Sequence, residues 1–136
     1  MRMIRPAGLV RIAAVAFAVV FVLIVVIADR GEGGRWWAFL EHLPAGDKIG
    51  HVGLVGLLAF LGNLAFRPRP APKPLHLLTL VTMVLLVVLT LEEISQAFLK
   101  NRNCDLFDWL ADLAGLAVGQ VAALLARRCR GRRRGT

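Results

Sequence analysis

Two segments of the sequence place ionisable and amide side chains about one helical turn apart. Asp47, Lys48 and His51 fall within five residues, and Glu93 and Gln96 stand three residues apart. Side chains three or four residues apart lie on neighbouring parts of one helical face, so each segment presents its polar groups together. A histidine near carboxylates can transfer protons, and a lysine can bind phosphate or carboxylate groups. Acid–base chemistry and the binding of an anion are therefore both open.

A third segment carries acids that give way to glycines. Asp105, Asp108 and Asp112 are followed by Gly115 and Gly119 at helical spacing. Carboxylates that face lipid are costly, whereas glycines let helix backbones approach each other closely. Both preferences predict that this stripe faces other helices, with Gly115 and Gly119 as helix-packing positions.

The elements that must position these residues are apolar stretches long enough to cross a bilayer. The chain has 136 residues, 57% of them hydrophobic, and a mean hydropathy of +0.66. A hydrocarbon core of about 30 Å takes about 20 helical residues. The sequence therefore predicts an all-α fold, an integral membrane four-helix bundle with short loops, as one domain over residues 1–136. The helices are predicted at about 7–28, 49–66, 75–99 and 105–126, before a basic tail at 127–136.

The distribution of positive residues predicts the orientation of the bundle. If the N-terminus is cytoplasmic, twelve of the 17 lysines and arginines lie on the cytoplasmic side and five lie outside. This excess follows the positive-inside rule, so a multi-pass protein of the cell membrane with both termini in the cytoplasm is expected. All nine acids then fall on the outer side or in the outer ends of helices.

A second interpretation of the first apolar stretch is a signal peptide. Arg2 and Arg5 precede the apolar run, and a cleavage site after Ala28 is compatible with the sequence. The run is longer than a usual signal-peptide core, which favours a retained helix. Cleavage would leave three helices with the same sidedness.

The helix predictions bring the three polar segments to one depth. With Lys48 and Asp105 at the membrane interface, His51 and Asp108 lie roughly 5 Å below it, at a rise of 1.5 Å per residue. The short connection at 100–104 makes the third and fourth helices antiparallel neighbours. We therefore expect one outer polar layer, consisting of Asp47, Lys48, His51, Glu93, Gln96, Arg102, Asp105, Asp108 and Asp112.

The three segments together resemble the VanZ-like family. Its pattern combines an Asp-Lys-x-x-His segment, a Glu-x-x-Gln segment, and an Arg followed by Asp and a helix of small residues. The corresponding positions here are 47–51, 93–96 and 102–108, followed by Gly115. The resemblance implies a four-helix membrane domain, in a family named for tolerance of glycopeptide antibiotics of the teicoplanin type.

The chain departs from the family pattern at three places. Val52 follows His51 where an aromatic residue is common, and Lys100-Asn101 precedes Arg102 where Pro-Gly is common. Asp112 stands where the family more often has Asn, which adds an ionisable group deep in the helix.

Three classes of function are compatible with the predicted layer. In the first, Lys48 and Arg102 hold an anionic envelope lipid, a cell-wall precursor or a glycopeptide-type drug. In the second, a membrane hydrolase or transferase uses His51 as acid or base, although no Ser, Thr or Cys nucleophile stands in a recognised motif. In the third, the layer is an ion-pair network of a structural or assembly subunit. Enzymatic activity therefore stays open.

Other partners are disfavoured by the composition around the polar residues. His51 with Glu93 and Asp108 is a weak metal signature, so neither a metal nor a cofactor is predicted. The basic tail suits attraction to anionic lipid beside a spanning helix, and without stacking aromatics it does not indicate nucleic-acid binding. Cys104 and Cys129 are expected on opposite sides of the bilayer and should not pair.

Overall fold

Four helices make up the protein in a computed structural model that describes residues 6–31, 45–66, 69–71, 77–99 and 104–132. They are α1 (Pro6–Asp29), α2 (Gly46–Ala65), α3 (Leu80–Gln96) and α4 (Leu106–Arg132). The other regular feature within the described residues is an isolated bridge between Pro70 and Thr79. The predicted all-α, four-helix fold is confirmed.

Three of the four helices are long and apolar enough to cross a membrane. These segments are Gly8–Asp29 in α1, Gly46–Ala65 in α2 and Leu106–Arg130 in α4. Helix α3 has 17 residues, which corresponds to about 25 Å at 1.5 Å per residue. The hydropathy of the helices thus supports a multi-pass membrane protein, while the cytoplasmic location of the termini stays a prediction.

Most large apolar side chains point away from the helix bundle. On α1, for example, Ile12, Val15 and Val22 are each more than half exposed. Such outward apolar surface is expected where lipid, and not water, surrounds the protein. The buried apolar core is correspondingly small, and it centres on Val55, Ala59, Leu89 and Leu116.

Helices α2 and α4 form the closest pair, because glycines remove the side chains between them. A Cβ atom added to Gly115 would lie 2.9 Å from the carbonyl oxygen of Val52. A Cβ atom added to Gly119 would overlap the carbonyl oxygen of Gly56 and crowd Ala59. The acids that precede these glycines in α4 are therefore held directly against the start of α2.

A neutral polar cluster ties the far end of α2 to the start of α3. We call Asn63, Thr79, Thr82 and Gln120 the amide–threonine cluster; all four are buried. The Asn63 amide donates to Thr82 Oγ1 at 3.0 Å and accepts from the Thr79 hydroxyl. Gln120 Oε1 accepts from the Thr79 backbone N–H at 2.8 Å.

The same cluster explains why α3 begins later than predicted. Thr79 is the N-cap of α3, and its hydroxyl accepts from the Thr82 backbone N–H at 3.2 Å. The preceding residues instead join a short antiparallel contact in which Ala71 N–H donates to Leu78 O at 2.8 Å. The helix therefore starts at Leu80 and not near residue 75, and it ends at Gln96 before the turn at Ala97.

An arginine of the basic tail closes the C-terminal end of α2. The Arg127 guanidinium donates to the carbonyl oxygens of Asn63 at 2.8 Å, Leu64 at 2.8 Å and Phe66 at 2.6 Å. Arg11 of α1 donates to Ala65 O at 3.4 Å. The last carbonyls of a helix have no partners within it and favour positive charge, so these arginines stabilise α2.

Candidate functional site

Lys48 lies at the centre of a group of carboxylates at the start of α2. Its Nζ atom is 2.6 Å from Asp47 Oδ2, 3.0 Å from Asp105 Oδ2 and 2.7 Å from Asp108 Oδ1. Asp47 precedes it in α2, whereas the other two acids come from the start of α4. The ammonium group has three protons, so these three carboxylates can occupy its full donor capacity.

His51 lies one turn deeper, between two aspartates of α4. Its Nδ1 atom is 2.8 Å from Asp112 Oδ1, and its Nε2 atom is 3.9 Å from Asp108 Oδ2. One proton lies between these two atoms, so a hydrogen bond joins Nδ1 to Asp112 whichever of the two groups donates it. Asp112 thereby orients the imidazole, and Nε2 faces Asp108 without a direct hydrogen bond.

Glu93 reaches the same region from α3. Its Oε1 atom accepts from the Asp105 backbone N–H at 2.7 Å, which ties the end of α3 to the start of α4. The residue is 3% exposed, and within the part of the chain that the structure describes its Oε2 atom has no hydrogen-bond partner. A buried carboxylate oxygen without a donor is costly, so Glu93 is the incomplete member of the group.

These residues form what we call the charged cluster. Its members are Asp47, Lys48, His51, Glu93, Asp105, Asp108 and Asp112. The exposed fraction of the side chains falls from 61% at Asp47 through 24% at His51 to 3% at Asp112. The cluster thus runs from the surface of the bundle into its interior.

Two predicted members of the polar layer do not join these contacts in the described residues. Gln96 is buried, but its Nε2 atom donates to Glu92 Oε1 at 2.8 Å and not to Glu93. The three-residue spacing of Glu93 and Gln96 therefore did not identify the hydrogen-bond partner of the glutamine. Arg102 lies outside the described residues.

Two residues at the outer edge of the cluster, Asp105 and Cys104, have shifted pKa values. A hydrogen bond from the Lys48 ammonium lowers the pKa of Asp105 below its usual value, helped by the Phe107 backbone N–H. Partial desolvation, together with the negative charge of Glu93, raises the pKa of the Cys104 thiol. Lys48 and Asp105 therefore form an ion pair, and Cys104 is not activated as a thiolate nucleophile.

Sequence reasoning missed the amide–threonine cluster entirely. Asn63 interrupts the second apolar stretch, and Thr79 and Thr82 flank the start of the third. Isolated polar residues within apolar stretches were the available signal, because a buried amide in a membrane helix needs a partner on another helix. Gln120 follows Gly119 in α4, and its side chain bonds to the backbone of Leu77 and Thr79 just before α3.

Neither metal-site geometry nor a known relative identifies the site. Within residues 6–31, 45–66, 69–71, 77–99 and 104–132, no three His, Cys, Asp or Glu side chains are arranged to hold a metal ion. Comparison of the chain with family models, with curated proteins and with solved structures finds no match in any of the three. The resemblance to the VanZ-like family therefore stays a prediction from three short motifs.

Proposed function

We propose that this chain is a polytopic membrane protein whose charged cluster binds the polar group of a ligand at the membrane surface. The observation that carries the proposal is Glu93, a buried carboxylate with one oxygen bonded to the Asp105 backbone and the other without a hydrogen-bond donor among the described residues. A network that served packing alone would be expected to satisfy its buried acceptors.

The arrangement of the cluster supports binding in a second way. Ionisable groups inside a membrane protein are rare, and they usually mark a ligand or ion pathway when they face the bundle. Here Lys48 and His51 are partly exposed, whereas Asp112 is buried behind them. A polar group arriving from the membrane surface would therefore meet the cluster without crossing the apolar core.

The VanZ-like resemblance supports a role for this site in tolerance of agents that act on the cell envelope. The ligand classes are then an envelope lipid, a cell-wall precursor or a glycopeptide-type drug. In the sequence-based hypothesis an anionic ligand is held by Lys48 and Arg102. Because Lys48 faces three carboxylates, an anion would have to displace them, and this part of the hypothesis depends mainly on Arg102.

A membrane hydrolase or transferase is the second candidate, and the His51–Asp112 pair favours it. A buried carboxylate 2.8 Å from Nδ1 would hold the imidazole with Nε2 as the basic atom, which is the arrangement of a general base. Because neither cysteine of the chain nor any serine or threonine lies in a nucleophile motif, the attacking group would have to be water or a hydroxyl of the substrate.

The test expresses the chain in a glycopeptide-sensitive bacterium and measures the inhibitory concentration of a teicoplanin-type drug. Wild-type protein is expected to raise it at least fourfold, roughly a factor that ligand sequestration or competition can supply. Glu93→Gln should abolish this increase while the amount of membrane-inserted protein and its thermal stability stay close to wild type. The Gln side chain retains an oxygen that can accept from Asp105 N–H, so the fold should tolerate the change.

Glu92→Gln is the matched control, because it removes the same charge from the adjacent residue of α3. It should retain tolerance. His51→Ala separates the two candidate functions: an enzyme should lose essentially all turnover of its envelope substrate, whereas a binding protein should lose only part of its affinity. Full tolerance in Glu93→Gln, or no tolerance with wild-type protein, contradicts the proposed role.

A further inference from the structure

The charge of the cluster limits which ligand group it can accept. Within the described residues, five carboxylates face one lysine and one histidine. The lysine is already within 3.0 Å of three of those carboxylates. A phosphate or carboxylate ligand would therefore meet net negative charge, whereas a cation would reduce it.

The acceptor that lacks a strong donor is a buried oxygen of Glu93. Glu93 Oε2 is buried, and no donor from the described residues reaches it. The nearby Cys104 thiol interacts with the Glu93 carboxylate, but a thiol is at most a weak hydrogen-bond donor and leaves this oxygen without a strong one. The other oxygen of Glu93 accepts from the Asp105 backbone N–H, and Asp105 pairs with Lys48, so Glu93 belongs to the same site as the α2–α4 ion pairs.

A protonated amine fits this acceptor set better than other cations do. An ammonium group directs up to three N–H donors at separate acceptors, and its charge-assisted hydrogen bonds are short and strong. Lys48 already shows this geometry in the cluster, with one ammonium group shared among carboxylates of two helices. The described residues offer no three-ligand arrangement of the kind a metal ion needs.

Resting on the proposed binding function, we infer that the ligand group recognised here is the ammonium of an amine-bearing amphiphile, held by Glu93 Oε2 beside Asp108 and His51. Its apolar part would lie along the exposed apolar faces of the helices, where lipid tails lie. The site would thus select ligands by a positive head group at the depth of Glu93.

The inference is tested with three amphiphiles that share one ten-carbon chain: decylamine, decyl phosphate and decyltrimethylammonium. Each is added to purified full-length protein in nonionic detergent at pH 7, and the thermal unfolding midpoint is measured against concentration. Decylamine is expected to raise the Tm by about 4 °C at about ten times its Kd. Decyltrimethylammonium, which has the charge but no N–H donor, should bind at least about tenfold more weakly.

Variants assign the effect to Glu93. Glu93→Gln should weaken decylamine binding about tenfold or more, whereas Glu92→Gln, the same chemical change one residue earlier, should leave it within about twofold. The phosphate measurement is repeated with Arg128 and Arg130 changed to Ser, so that attraction to the basic C-terminal segment is reduced.

The outcomes separate this inference from the proposed function. In one outcome, decyl phosphate raises the Tm of the variant with Arg128 and Arg130 changed to Ser, and it loses that effect when Glu93→Gln is added. This result overturns the selectivity for amines but leaves a ligand site at the charged cluster. Equal protection by all three probes, or decylamine protection that survives Glu93→Gln, also overturns the inference. If no probe protects and Glu93→Gln also retains full drug tolerance in cells, both the inference and the proposed function are wrong.

Discussion

The two polar clusters lie at opposite ends of α2, and they differ in charge, burial and hydrogen bonding. His51 and Asn63 are twelve residues apart in α2, which separates them by about 18 Å. The amide–threonine cluster is neutral and buried, and both ends of the Asn63 side-chain amide are hydrogen-bonded. The charged cluster is exposed at its outer end and carries several ionised groups. Its Glu93 Oε2 atom has no hydrogen-bond donor among the described residues.

This difference is the reason for proposing the charged cluster, and not the amide–threonine cluster, as a binding site. In the amide–threonine cluster, donors and acceptors already satisfy one another, so a further polar group would have to break a hydrogen bond to enter. In the charged cluster, an arriving donor could bond to Glu93 Oε2, which has no donor among the described residues, and would offset negative charge. Buried polarity alone is therefore a poor indicator of function in this bundle, and incomplete hydrogen bonding is a better one.

The largest expected effect comes from the glycine contact that both clusters share. Gly119→Ala should separate α2 from α4, because the added Cβ would overlap the Gly56 backbone oxygen, which cannot move aside like a flexible side chain. We expect a loss of about 3 kcal/mol in the free energy of unfolding, measured by denaturant titration in detergent. Amine binding should be lost in the same variant.

Gly53→Ala is the matched control for this change. An added Cβ at Gly53 meets no atom within 4 Å, so stability should be unchanged or rise by up to about 1 kcal/mol. If Gly119→Ala were as stable as Gly53→Ala, the close α2–α4 contact could not be what positions the two clusters.

A smaller effect is expected from breaking the amide–threonine cluster alone. Asn63→Ala removes an amide that pairs with Thr79, Thr82 and the Ala59 carbonyl, and it leaves the threonine groups without that partner. The expected loss is about 1 to 3 kcal/mol in the free energy of unfolding. Decylamine affinity of the folded protein should stay within about twofold of wild type, as measured from the concentration dependence of the Tm.

Glu93→Gln should show the reverse pattern, with affinity lost and stability retained. If Asn63→Ala and Glu93→Gln each lowered stability and decylamine affinity in the same proportion, the two clusters would not differ in function. In that case the charged cluster would have to be regarded as a second packing network.

Helical spacing predicted much of the fold and part of the site. The apolar stretches gave four helices, and the i, i+3 and i, i+4 series placed His51 with Lys48 and Asp112 with Asp108 on shared faces. The preference of glycine for close helix contacts predicted the side of α4 that faces protein. These features depend on local periodicity, which a single sequence shows directly.

Contacts that depend on how neighbouring helices are rotated could not be predicted in this way. Spacing placed Gln96 on the same helical face as Glu93, but the glutamine bonds to Glu92 across one turn. Spacing also offered Lys48 as an anion-binding residue, whereas carboxylates from α4 surround it. In the sequence, Arg127 is one of six arginines in the basic tail. Its contact with the end of α2 depends on the three-dimensional path of α4.

The smallest expected effect is a dependence of stability on pH that belongs to the charged cluster alone. The hydrogen bond from Lys48 lowers the pKa of Asp105 in the folded protein below its value in the unfolded chain. A group of this kind stabilises the fold above its unfolded pKa, near 4, and the stabilisation is lost as the pH falls through the lower, folded value. The Asp105 side chain is 38% exposed, so solvent screening keeps the contribution small.

Asp105→Asn isolates this contribution, because Asn can still accept the Phe107 backbone N–H as the cap of α4 while losing the charge that Lys48 pairs with. Thermal midpoints in detergent should show the variant below wild type at pH 6, with the gap closing as the pH falls towards 2. Asn63→Ala should instead lie below wild type by an offset that does not vary with pH, since no titratable side chain belongs to its cluster. A gap for Asp105→Asn that stayed constant down to pH 2 would mean that the ion pair with Lys48 does not stabilise the folded state.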